Sequence, residues 1–309
     1  MKFYVLIGAL ALLLAGACST VAAQEGQTPP TYFKSYAGLV WNPHDHYWKS
    51  AQKEVDKSVL SILVQDQTEL SNGIRYRKFF RGAPQVREVA LTFDDGPHTA
   101  YTPQLLAILR KYHVKATFFV VGERAEQAPD LVREEVAEGN EVGNHTYHHV
   151  NLTKVSPEEA ATEIKACGEV LHAILGHSPH LFRPPGGDYN ADVAMDAEAL
   201  GYTTVLWTDD PGDFKRPGEK LLEQRTVSHV SPGAVILLHD GIKQTIDVLP
   251  QIIESIRAQG YQFVTVDQLI RDRNQPYLAK LTAHKAKLAA KDRLEGNLPD
   301  GDSDGSLRE

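Results

Sequence analysis

Cysteine is nearly absent, with two residues, Cys18 and Cys167, in 309. That excludes a disulfide framework and a thiolate metal cage. Positive charge is also scarce: 32 Lys and Arg face 40 Asp and Glu, for a formal net charge of −8 and a pI near 5.9. A nucleic-acid or anionic-membrane surface needs clustered Lys and Arg, and nothing here supplies one. Nor does the apolar run from Val5 to Ala17 reach the length that crosses a bilayer.

That run follows Met1-Lys2 and suits the core of a signal peptide, so the protein is expected to be exported, either secreted or held in the cell envelope. Two processing sites compete. Val21-Ala22-Ala23 offers small residues for cleavage after Ala23, whereas Ala15-Gly16-Ala17-Cys18 resembles a bacterial lipoprotein box, with Ala15 where leucine is usual. Lipidation of Cys18 would be the route to a membrane. Composition then divides the chain into a signal at 1–23, a tether with a helical and hairpin extension at 24–84, a main unit at 85–273, and a C-terminal helix with an acidic tail at 274–309. Between His44 and Gln65, Trp48, Val55, Val59, Ile62 and Leu63 recur at helical spacing and predict one amphipathic helix. Packing or spacing is its expected role, rather than contact with a substrate. Asn72-Gly73 marks a turn before a β-like run at 74–80.

In the main unit, strand-like and helix-like segments alternate. Strands are expected at Val89–Phe93, Ala116–Val121, Glu141–Asn144, Leu181–Arg183, Thr203–Trp207, Ala234–Leu238 and Gln262–Val266, with helices at Thr102–His113, Pro157–Leu175, Asp192–Leu200 and Ile242–Gln259. Repeated β-then-α order implies a parallel sheet, and about seven such units imply a closed or nearly closed α/β barrel.

Polar signals gather after the strand ends, where such barrels carry their chemistry. Val89–Phe93 runs straight into the paired carboxylates Asp94 and Asp95, followed by Gly96-Pro97. Charges there are costly to bury unless a cation meets them, so the choice is between a solvated strand cap and a metal or acid–base site. Gly143-Asn144-His145-Thr146-Tyr147-His148-His149 decides it. His145 and His149 are four apart and would share one face of a helical turn, within reach of one metal. Two His and one Asp leave coordination positions open for water and substrate. Phe182-Arg183-Pro184-Pro185-Gly186-Gly187 adds a permanent cation and glycines that allow close backbone approach. Trp207 to Phe214 adds carboxylates beside aromatic surface, and the apolar strand 235–238 ends in His239.

These five stretches, in this order, resemble the polysaccharide deacetylase family, metal-dependent carbohydrate esterases that include chitin and peptidoglycan N-acetylglucosamine deacetylases. The resemblance spans about Arg87 to Arg273 and implies a distorted (β/α)7-type barrel. It further implies that Asp95, His145 and His149 bind the metal, that Asp94 is the general base oriented by Arg183, and that His239 is the general acid oriented by Asp213. Only one aspartate need be a ligand, because adjacent side chains on a strand point apart. His148 is read as a neighbour. Gly186 would donate its backbone N–H to the oxyanion, and Leu237, with Trp207 and Phe214, would wall the substrate site. Gly186 stands where the family usually has an aromatic residue and Phe214 where tryptophan is common. The expected activity is hydrolytic deacetylation of N-acetylglucosamine in an envelope or extracellular polysaccharide, with zinc the default metal and cobalt, nickel or manganese also able to occupy the site. The alternatives are an O-acetyl esterase acting on acetylated xylan and a non-catalytic glycan-binding lipoprotein.

Overall fold

Nine residues from Glu88 to Gly96 form β2, the strand on which the site is built, and their alternation separates two cores. Val89, Leu91 and Phe93 pack outward against helices, while Ala90 faces the barrel interior with Phe119, Leu237 and Trp207. A computed structural model describes residues 56–275. The expected signal peptide with Cys18, the tether, the 44–55 part of the helix expected over 44–65, and the acidic tail with most of the last helix lie outside the described residues; the described part of that helix begins only at Val59, capped by Ser58, and runs past Gln65 to Ser71.

In chain order the elements are α1 (Val59–Ser71), β1 (Lys78–Phe79), β2, α2 (Thr102–Lys111), β3 (Thr117–Val120), α3 (Gly122–Gln127) and α4 (Pro129–Ala137). Then come β4 (Glu141–Asn144), α5 (Pro157–Leu175), β5 (Leu181–Phe182), α6 (Ala191–Ala199), β6 (Thr203–Val205), α7 (Glu219–His229), β7 (Ala234–His239), α8 (Lys243–Ala258) and β8 (Gln262–Phe263). The strands form one sheet in the order β1-β6-β5-β4-β3-β2-β7, with β8 pairing β2. Every pairing between named strands is parallel, as β-then-α order requires. Isolated bridges from Arg81 to Ala234 and from Asp209 to Ile236 draw the two sides of the sheet together, giving the expected distorted barrel.

Helix α8 shows why the helices cover the sheet: Ile246, Leu249, Ile252, Ile253 and Ile256 fall at helical spacing and are buried. In α5 a capping box joins Ser156 and Glu159, and Gly176 ends the helix in a left-handed conformation at φ 77. Helices α3, α4 and α7 are additions to the sequence reading. In α7 only Leu222 and Thr226 are buried, too few apolar positions to print a period. The last expected strand is shorter than predicted. It ends at Phe263, and a helix runs from 266 to 275, started by the Val266 N–H donating to Thr117 Oγ1.

Candidate active site

Parallel register sets the first element of the site. Asp94 on β2 lies opposite His239 on β7 and Phe119 on β3, so the base and the acid of the sequence reading leave adjacent strands at the same level. With Asp95, His145 and His149 they line a pocket of about 120 Å³, and Gly186 and Phe214 border it.

Asp94 and Asp95 do not separate by strand alternation as expected. The β2–β3 register shifts between Asp94 and Gly96, and Asp95 has φ 72. A non-glycine residue in the left-handed region leaves the pleat, so both carboxylates turn into the pocket. Asp94 is 3% exposed, and its Oδ1 accepts from Arg183 Nη1 at 2.7 Å. Arg183 is fully buried; it also donates to Thr92 Oγ1 at 2.8 Å and to the Val205 carbonyl at 3.2 Å, with its guanidinium 4.1 Å from the centre of the Phe119 ring. Removing one partner of a buried pair leaves an uncompensated charge, a loss of about 3–5 kcal/mol, so each holds the other in place.

The histidine loop is not a helical turn. His145 to His149 follow β4 as irregular chain, with Thr146 at φ 65 and His149 at φ 57. Polar side chains hold these bends: Asn144 Oδ1 accepts from the Thr146 N–H, and Thr146 Oγ1 from the His149 N–H. Glu163, buried on α5, accepts from the N–H groups of Tyr147 and His148, and its other oxygen pairs with His148 Nδ1 at 2.7 Å. His148 is thereby turned away from the metal position, and Glu163 becomes a supporting residue that sequence reasoning missed. Its signal was a carboxylate among the buried positions Ala160, Ile164 and Cys167 of an otherwise apolar helix face.

His145 Nδ1 lies 2.8 Å from the Arg183 carbonyl, which only accepts, so Nδ1 carries the proton and Nε2 is left with its lone pair toward the carboxylates. Ligand atoms of Asp95, His145 and His149 all lie within 4.8 Å of one another. Asp95 Oδ1 is buried without an aligned hydrogen-bond donor, although His149 Nε2 is 2.9 Å and His145 Nε2 3.6 Å away. Burial alone would raise the Asp95 carboxyl, but His149 and His145 hold it well below the usual carboxylate range. A buried oxygen facing two imidazole nitrogens without hydrogen-bond alignment fits a divalent cation between them.

Across the pocket, His239 Nδ1 meets Asp213 Oδ1 at 2.7 Å, and Asp213 Oδ2 accepts from the His239 N–H and the Thr245 hydroxyl. Burial works against charge on His239, yet Asp213, with Asp95 and Asp94 behind it, pushes the imidazole well above its ordinary range. Phe214 packs edge-on against it, ring centres 5.6 Å apart. Trp207 and Leu237 lie deeper than expected. Both are buried in the barrel interior, Trp207 stacked near Arg183 at 5.6 Å, and Leu237 two residues before His239 on the same face of β7.

Gly186 has φ 60, and a Cβ on neighbouring Gly187 would come within 2.6 Å of the Trp207 ring. Glycine is required there by conformation and by close approach. Gly186→Tyr is therefore expected to strain the loop by about 1–2 kcal/mol and lower kcat, rather than add a stacking wall that lowers KM. Steady-state kinetics on short N-acetylglucosamine oligomers, with thermal melting alongside, checks this.

A profile of the polysaccharide deacetylase family matches residues 81–205. Over 188 residues the chain is 42% identical to a peptidoglycan-N-acetylglucosamine deacetylase of Bacillus cereus, covering 59% of this chain and 88% of that protein. It is 36% identical over 218 residues to the peptidoglycan-N-acetylmuramic acid deacetylase PdaC of Bacillus subtilis, covering 71% of this chain and 46% of the other. Among solved structures, a CE4 family pseudoenzyme of Bacillus anthracis superposes with a TM-score of 0.61 at 30% identity, over 65% of this chain and 71% of its own.

Proposed function

The chain belongs to the polysaccharide deacetylase family and is a hydrolase acting on acetyl amides, and from that premise we propose that it removes acetyl groups from N-acetylglucosamine residues of an envelope or extracellular polysaccharide. Peptidoglycan, a chitin-like polymer and poly-N-acetylglucosamine all present that group. One observation carries the reading: Asp94, clamped by Arg183 at 2.7 Å, and His239, clamped by Asp213 at 2.7 Å, flank three convergent metal-ligand atoms in a single pocket.

Asp95, His145 and His149 would hold a divalent cation, zinc by the character of the ligands; when bound, such an ion lowers the pKa of water and polarises an acetamide carbonyl. The remaining work falls to the chain's own groups. Asp94, fixed by Arg183, accepts the proton of the attacking water. The Gly186 N–H donates to the oxygen that gains charge during attack. His239 has Nδ1 committed to Asp213, so Nε2 faces the pocket and delivers a proton to the departing nitrogen, which is too basic to leave without one. An acyl ester would need that last proton far less, and the elaborate fixing of His239 is what favours the amide.

Acetate release from N-acetylglucosamine oligomers, peptidoglycan and acetylxylan tests the reading. Release from either of the first two supports it. Release from acetylxylan alone would make the protein an O-acetyl esterase, and release from none would leave a glycan-binding protein.

We also place the protein outside the cytoplasm, on its N-terminal signal, cleaved before Cys18 so that Cys18 becomes the lipid anchor. Among the described residues no helix is long and apolar enough to cross a membrane. A multiply acylated cysteine holds where one chain would not. The full-length protein is expected to partition into detergent and Cys18→Ser into the aqueous phase; an intact mass starting at Gln24 would refute the anchor.

A further inference from the structure

The pocket contains one carboxylate that the roles above leave unused. Asp56 lies outside the stretch matched by the family profile, yet it lines the pocket with its Oδ2 3.9 Å from His239 Nε2 and its side chain 12% exposed. Its neighbours fasten it there. The Lys57 N–H donates to the Gly186 carbonyl at 2.8 Å, the Lys57 ammonium pairs with Asp188 at 3.0 Å and donates to Gln65 Oε1 at 2.6 Å, and Ser58 caps α1.

Two familiar roles do not suit Asp56. The ligand atoms that converge on a cation position belong to Asp95, His145 and His149, and Asp56 contributes none. Nor does it orient His239, because 3.9 Å exceeds hydrogen-bond reach and Nδ1 is already held by Asp213. The spacing instead leaves room for substrate. A leaving nitrogen must come within hydrogen-bond distance of His239 Nε2, which brings the sugar positions beside it within reach of Asp56.

In a 2-acetamido sugar those positions are C1 and C3. Within a polymer the C1 oxygen is a glycosidic link with no proton to donate, so the group left to meet a carboxylate is the one on C3. On the deacetylase reading above, we propose that Asp56 is a specificity residue that selects 2-acetamido sugars with a free 3-hydroxyl and rejects those carrying a lactyl ether at O3. A hydroxyl donates to the carboxylate, whereas an ether oxygen has nothing to donate and a free lactyl acid brings a second negative charge. Asp213 behind His239, and Asp210, near enough to raise the Asp56 carboxyl, add further negative charge around it. Burial raises Asp56 to about 6 against the pull of His239, which leaves it largely charged at pH 7 and above. The choice is open at the family level, since one relative is named for N-acetylglucosamine and another for N-acetylmuramic acid.

Kinetics on two glycans decide it: an N-acetylglucosamine oligomer, and a peptide-free glycan strand in which only muramic acid residues remain N-acetylated. With zinc-loaded enzyme, Asp56→Ala is expected to lower the ratio of kcat/KM for the first glycan over the second by about tenfold or more, chiefly by raising KM for the oligomer and relieving exclusion of the anionic sugar. Asp56→Asn keeps an acceptor for the hydroxyl but no charge, so it should retain the wild-type KM for the oligomer while still accepting more of the muramic strand. An unchanged ratio in both variants overturns the proposal, and so does an equal loss on both glycans, the mark of a merely structural residue. A wild-type enzyme that hydrolyses neither glycan would refute the deacetylase reading instead. The ratio of the two glycans' Kd values, measured by calorimetry on wild type and Asp56→Ala, would then judge Asp56 by the same criterion.

Discussion

Asp94→Asn is expected to retain zinc at wild-type stoichiometry while losing about 10²–10⁴-fold in kcat, the usual contribution of a positioned general base. The asparagine carbonyl still accepts from Arg183 Nη1, which holds the side chain in place; the proton acceptor is lost, and the buried guanidinium loses its counter-charge, so the variant should also melt lower. Asp95→Ala and His149→Ala are expected to purify without metal and without activity, because each removes one of three convergent ligand atoms. The two aspartates are adjacent and both face the pocket, which makes the contrast informative: His145 Nε2 lies 3.7 Å from Asp94 Oδ2 and 3.6 Å from Asp95 Oδ1. The difference lies at His149, which meets Asp95 at 2.9 Å, and at Arg183, which meets Asp94. Metal content measured beside turnover separates the roles. If Asp94→Asn emptied the site and Asp95→Ala did not, they would have to be exchanged.

The second large effect falls on His239. His239→Ala is expected to cost about 10²–10⁴-fold in kcat on an N-acetyl amide and much less on an activated acetyl ester, whose leaving group departs without a proton. Asp213→Asn tests the electrostatics separately. The active form carries the proton on His239, and Asp213 helps hold that pKa above the ordinary imidazole range, so kcat should persist into alkaline solution and fall as pH rises through the raised value. Removing the Asp213 charge lowers the His239 pKa and should move the alkaline limb of the kcat–pH profile toward acid. A profile whose alkaline limb does not move would assign it to another group.

The barrel and most of its site were legible because both are written in local patterns. Apolar runs ending in Asp94, Asn144, Arg183 and His239 mark strand ends, and strand ends in a parallel barrel share one rim, so residues remote in sequence converge. Helix α5, predicted over the span observed, carries apolar periodicity together with a capping box and a terminal glycine. What escaped depends on backbone bends that residue identity does not announce. The left-handed Asp95 overrides strand alternation, and the positive φ angles of Thr146 and His149 replace the helical turn expected from their spacing. Asp56 was illegible for another reason: its place rests on contacts of Lys57 with Gly186 and Asp188, more than a hundred residues away, and no spacing rule connects them. Helix α1 differs as well: of the residues expected on its buried face, Ile62 is buried, whereas Leu63 is 39% exposed, and the other buried position of the helix is the polar Asp66.

If one pocket unites a metal triad with a base and an acid to hydrolyse an N-acetyl group, acetate release from N-acetylglucosamine oligomers must depend on the metal. The zinc-loaded protein is expected to release acetate, to stop when a chelator strips the metal, and to resume on adding one equivalent of zinc. Undiminished activity in verified metal-free protein, or no acetate from protein verified to hold one zinc per chain, would contradict it.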